Sequence, residues 1–226
     1  MEEASKSIDY FSKIRFARYL SACNNNPELA RQLYHANGML SNAFRLLLTD
    51  YLEVFLRNAL DYHLAIYFQD DYWLCTKYEQ CPGITNVDVL LEAKKRLRHI
   101  NYTHDDLVTA LTFGFWTELF YPTQYKALKG RPIKIFTNKP KNKKFNQSRV
   151  YNQLKRLRQF RNRITHGEPI VFAKNKALIN LRYSKQTHFD IYEILNWLHP
   201  SLVQKMKQWD SVEREIKRVL EIKDKI

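Results

Sequence analysis

Residues 39–68 read MLSNAFRLLLTDYLEVFLRNALDYHLAIYF, and the order of apolar side chains in this stretch decides the class of fold. Phe44, Leu47, Leu48, Tyr51, Leu52, Phe55, Leu56, Leu60, Leu64 and Tyr67 recur at spacings of three and four. That period places them on one stripe of a helix and does not match the alternation of a half-buried strand. The pattern predicts a helical run from Pro27 to about Phe68, with Asn37-Gly38 as the candidate break. Upstream, Asn24-Asn25-Asn26-Pro27 stops a first helix, Ile8 to Ala22, and starts this one. Asn26 suits the N-cap, and Pro27 suits the first helical position, where its missing N–H is not needed.

Downstream the same reading continues. A loop carries Trp73, Cys75, Cys81, Pro82 and Gly83; Thr85 with Asp88 then resembles a cap opening a helix from Asn86 to about Ile100. Thr103 and Asp105 open another, running into Leu111–Trp116, with Gly114 marking either a close approach or a break. Pro122 to Asn146 reads mostly as loop, with one short helix around Tyr125. Gln147 to His166 is strongly helical, with Val150, Leu154, Leu157, Phe160 and Ile164 on its apolar side and Gly167 and Pro169 ending it. Ile170 to Tyr183 is ambiguous and has room for a short extended segment. Two helices, about Phe189 to Leu198 and Pro200 to Ile222, follow. With only 5 Gly and 7 Pro in 226 residues, a turn-rich β-fold is disfavoured. The expectation is all-α: a multi-helix bundle, residues 1–226 forming a single domain.

The net charge of +14 is unevenly distributed. Between Glu118 and Glu168 there is no Asp or Glu, yet 14 Lys and Arg occur; elsewhere 23 basic residues balance 23 acidic ones. A concentrated positive field attracts polyanions by displacing their counterions, which favours a nucleic acid as partner over a plain solvated surface. The three cysteines, Cys23, Cys75 and Cys81, have no metal-ligand spacing and are odd in number, which suggests a reducing cytoplasm. No apolar run is long enough for a membrane span, so no membrane partner is expected.

At the end of the basic helix stands Gln159-Phe160-Arg161-Asn162-Arg163-Ile164-Thr165-His166-Gly167-Glu168-Pro169. At about 100° per residue, Asn162 and His166 share a face, while Arg161 lies about 140° from His166. The chemistry open to such a group is metal-free RNA cleavage. A histidine near neutrality can take the proton of a ribose 2′-hydroxyl or protonate the departing 5′-oxygen. Attack by that hydroxyl leaves a cyclic phosphate. An arginine offers a fork of donors to the charge growing on the phosphate. Asn162 is placed to orient the imidazole or bind the backbone. On spacing alone, His166 serves equally well as a histidine capping the last carbonyls of its helix.

The run Arg161-Asn162-Arg163-Ile164-Thr165-His166, with Glu168-Pro169-Ile170 after it, resembles the Arg-Asn-x-x-x-His motif of HEPN domains in the form seen in Abi-like abortive-infection proteins. Tyr51 to Leu60 resembles that family's long early helix, and Phe113 to Phe120 resembles its Gly-Phe-Trp element. The resemblance spans roughly residues 40 to 170. It implies a HEPN-like helical bundle with additional helices that pairs as a two-fold homodimer. It further implies endoribonuclease activity by Arg161 and His166, without metal or cofactor, in a toxin or phage-defence setting with an RNA or protein antitoxin as a further partner. One departure is Gly167, where many relatives carry a second histidine.

Lys155, Arg156, Arg158 and Arg163 on the same helix, with Lys143 and Lys144 before it, are candidate RNA-binding residues. Arg57-Asn58 with His63 forms a second Arg-Asn-His group, and Glu53, one turn before Arg57, is expected to pair with it. Phe113, Phe115 and Trp116 fit either a base-stacking platform or a core. The alternative function is a non-catalytic RNA-binding module that holds a small RNA or a nuclease partner, and a purely structural dimerising protein is a third reading.

Overall fold

The computed structural model describes residues 13–98, 101–141 and 145–226. The described residues form an all-α structure whose only β pairing is an isolated antiparallel bridge between Phe172 and Ile179. The chain divides into two units. One comprises Met1–Leu47, Phe160–Phe189 and Met206–Ile226; the other comprises Leu48–Gln159 and Asp190–Lys205.

In the first unit the Pro27–Arg45 helix packs against Lys13–Ala22 and Val212–Lys223. Asn26 caps it as expected, its side-chain oxygen accepting from the N–H groups of Glu28 (3.0 Å) and Leu29 (3.1 Å). The break expected at Asn37-Gly38 is absent. Asn37 is buried, and its Oδ1 accepts the Ile170 N–H at 2.8 Å, so its polar group is satisfied across the fold and does not compete with the helix. Val212, Glu215, Ile216, Val219 and Ile222 form the buried face of Val212–Lys223, at spacings of three and four. Glu215 is 1 % exposed, yet Arg214 and Arg218 each donate to it at 3.0 Å, so the buried carboxylate is compensated.

The helix expected from Pro200 to Ile222 is two, Pro200–Lys207 and Val212–Lys223. Asp210 interrupts it: one carboxylate oxygen accepts the Val212 N–H at 2.8 Å and the other meets His188 Nε2 at 2.5 Å. The Arg182–Leu198 helix begins well before the expected Phe189. The segment preceding it is tied down: Arg18 donates to the carbonyls of Ala173 and Lys176 at 2.7 Å each, and Ser184 Oγ donates to the Ile170 carbonyl at 2.9 Å.

In the second unit Val54–Phe68 packs against Arg131–Ile135, Phe113–Glu118 and Trp73–Thr76. Between Pro27–Arg45 and Val54–Phe68 the chain runs as a wider π-helix, Leu46–Glu53. Asp61 joins three elements, accepting from Trp73 Nε1 at 2.8 Å and contacting His104 Nε2 at 2.9 Å. Thr103 opens His104–Ala110 with a reciprocal cap, but its partner is Asp106, not Asp105. The cap expected from Thr85 does not form. Thr85 Oγ1 accepts from Gln124 Nε2 at 2.6 Å and Asn86 Oδ1 accepts from Tyr78 OH at 2.7 Å, so both side chains are committed to tertiary contacts. Leu111 is extended, which separates His104–Ala110 from Phe113–Glu118, and Thr112 caps the second of these.

Candidate functional site

The Gln147–Thr165 helix buries Val150, Leu154, Leu157 and Phe160 completely. It ends in a Schellman arrangement: the Glu168 N–H bonds to the Arg163 carbonyl and the Gly167 N–H to the Ile164 carbonyl, both at 2.9 Å. This closure needs a left-handed residue, and Gly167 supplies it at φ +64°. His166 is therefore the last residue on the helix before the chain turns away. It is exposed, and its ring makes no hydrogen bond among the described residues. Asn162 lies one turn earlier, also exposed, its carbonyl accepting the His166 N–H at 2.9 Å.

Arg161 is half-buried, its Nε shielded from solvent and its carbonyl accepting from Thr165 Oγ1 at 3.1 Å. The structure thus sets Asn162 and His166 on one exposed face, with Arg161 off it. A cation that the sequence reading missed comes from another helix of the same unit. Exposed Arg15 reaches the His166 carbonyl with Nη2 at 3.4 Å, and a Cβ on Gly167 would stand 3.3 Å from its Nη1. No local signal marked Arg15, because Lys13–Ala22 is 151 residues away in sequence from its contact.

The other candidate cations have varied surroundings. Arg156 donates to nearly buried Asp190 at 2.9 and 3.2 Å. Arg158 donates to Glu118 at 2.7 Å and Thr117 Oγ1 at 3.3 Å, passing close over Gly114, where a Cβ would stand 3.6 Å from its Nη1. Arg163 donates to Glu168 at 3.2 Å and to the Pro169 carbonyl at 2.6 Å, which secures the chain after the helix. Lys155 is exposed, and Lys143 and Lys144 lie outside the described residues. The exposed residues in line with His166 along this helix are Ser148, Asn152, Lys155, Gln159 and Asn162, a row richer in amides than in charge. Their spacing of four, three, four, three and four was legible in the sequence, where attention to arginines passed over it.

In the second unit Arg57 does not pair with Glu53, as the sequence suggested. Glu53 is turned inward at 8 % exposure, while half-buried Arg57 approaches Asn58 Oδ1 at 3.4 Å. Burial, then the charges of Arg131 and Lys134, hold His63 below its ordinary pKa, so it favours the neutral form. Phe113, Phe115 and Trp116 are buried, which makes them core and withdraws their faces from any base. Among the described residues no group of three His, Cys, Asp or Glu is placed to hold a metal ion, and no helix is long and apolar enough to cross a membrane.

Comparison with protein-family models, with curated proteins and with solved structures returns no match.

Proposed function

We propose that the chain is a metal-independent endoribonuclease, active as a two-fold dimer, with His166 as its acid–base group and Arg161 as its phosphate-binding group. The observation that carries this reading is the position of His166: an exposed imidazole at a helix terminus, uncommitted to any described hydrogen bond, beside Asn162 and Arg15. An imidazole so placed exchanges protons near neutrality, and the helix dipole there favours its charged form. The 2′-hydroxyl attacks the adjacent phosphorus, the 5′-oxygen departs, and a 2′,3′-cyclic phosphate remains. Pairing of two copies supplies a second guanidinium and imidazole, which answers the separation of Arg161 from His166 on one helix. The likeness of the Arg161–His166 run to the HEPN motif supports the same reading and suggests a toxin or phage-defence role, held in check by an RNA or protein antitoxin.

The test is incubation of the purified chain with end-labelled tRNA and mRNA in the presence of a chelator, beside His166→Ala. Loss of cleavage with an unchanged circular dichroism spectrum is expected; equal cleavage by the variant refutes the assignment. One observation favours a second reading, a non-catalytic RNA-binding module: Arg161 and His166 do not share a face. On that reading RNA binds in a salt-sensitive manner, is not cut, and His166→Ala changes nothing.

A further inference from the structure

Within the first unit, an open groove of about 760 Å³ runs between residues 178–181, the first turns of Arg182–Leu198 and the end of Val212–Lys223. Its surface combines two features that are rare together. Leu178, Phe189 and Leu220 line it, with Leu178 56 % and Phe189 61 % exposed. Arg182, Lys185 and Lys223 stand among them; no lining residue is acidic, and none of the three cations forms an ion pair among the described residues. Elsewhere Arg31, Lys94, Arg149, Arg156, Arg158, Arg163, Arg214 and Arg218 each have a carboxylate partner. The groove is therefore set apart by unneutralised charge on an apolar floor.

From this combination we infer that the groove docks an acidic amphipathic segment of a partner protein, its apolar side chains against Leu178, Phe189 and Leu220 and its carboxylates against Arg182, Lys185 and Lys223. Apolar floor with a charged rim is the pattern of a helix-in-groove interface, in which burial gives affinity and charge sets partner and approach. A single-stranded nucleic acid fits less well. Its bases require aromatic planes, and Phe189 is the one aromatic side chain in the lining. The inference is independent of the ribonuclease reading, because neither the groove nor its test involves cleavage.

The probe is a fluorescein-labelled synthetic amphipathic helix with leucines at three- and four-residue spacing and glutamates flanking them, titrated into the full chain by anisotropy. Its lysine-for-glutamate counterpart and an oligo(dT) competitor provide the comparisons. Saturable binding of the glutamate peptide is expected, weakening with salt. Phe189→Ser and the double variant Lys185→Glu/Lys223→Glu should each lose about tenfold in affinity, the effect of removing a central contact. These side chains are exposed at the surface, and circular dichroism verifies that each variant is folded. Absence of saturable binding, equal binding of the lysine peptide, or an affinity indifferent to the variants overturns the proposal. Displacement of the peptide by oligo(dT), with oligo(dT) binding sensitive to the same variants, overturns it in favour of nucleic acid.

Discussion

Gly167→Ala isolates the closure that presents His166. Gly167 sits at φ +64°, a region that costs an L-residue about 1–2 kcal/mol, so alanine there should destabilise the fold by about that amount. The steric contribution is smaller. The added Cβ would meet Arg15 Nη1 at 3.3 Å, but that atom ends a flexible, exposed side chain and can swing aside. Asparagine tolerates the left-handed region better, so Gly167→Asn should lose roughly half as much or less. The assay is urea unfolding followed by circular dichroism on the three proteins. If alanine is neutral or stabilising, or asparagine is as damaging as alanine, the conformational account of this terminus fails. A histidine at 167, which the family resemblance would have favoured, should carry a penalty in the alanine range.

Three further outcomes follow from the packing. Phe160 is fully buried, edge-on to Phe44 (4.8 Å between centroids) and Tyr183 (5.2 Å), so Phe160→Ala should cost about 3–5 kcal/mol in unfolding measurements. Asp61→Ala removes the acceptor shared by Trp73 Nε1 and His104 Nε2, and a loss of about 1–3 kcal/mol is expected for each donor left without a partner. His63 should titrate below its ordinary 6.5 by NMR, and Arg131→Ala should raise it only part way, since burial is the larger cause. Because its folded pKa is depressed, the folded state binds fewer protons than the unfolded chain just below pH 6.5. Stability is therefore highest above that value and falls as pH drops through the folded pKa.

Much of the fold was legible because helices are local. The stripe from Phe44 to Tyr67, the Asn26-Pro27 start and the Gly167 stop each involve groups within one or two turns of one another. The errors share a cause. Asn37, Thr85 and Asn86 looked like breakers or caps, yet each hydrogen-bonds to a residue from a different part of the chain, at separations from 8 to 133 positions. Asp210 appeared harmless inside a helix until His188 and the Val212 N–H made use of it. At the candidate site His166 and Asn162 were found from spacing, but Arg15 was not, since nothing local connects it to them.

Charge shows the same division. By itself the sequence determined the helical periodicity, the end of the basic helix at an imidazole, and the concentration of positive charge between Glu118 and Glu168. Only the tertiary structure decided which of those charges remain open. Glu118 and Asp190, 40 and 34 positions away, take up Arg158 and Arg156, while Lys155 and His166 stay exposed. Periodicity is a property of neighbouring residues and survives in the bare chain. Neutralisation depends on distance in space, which the chain acquires only when it folds.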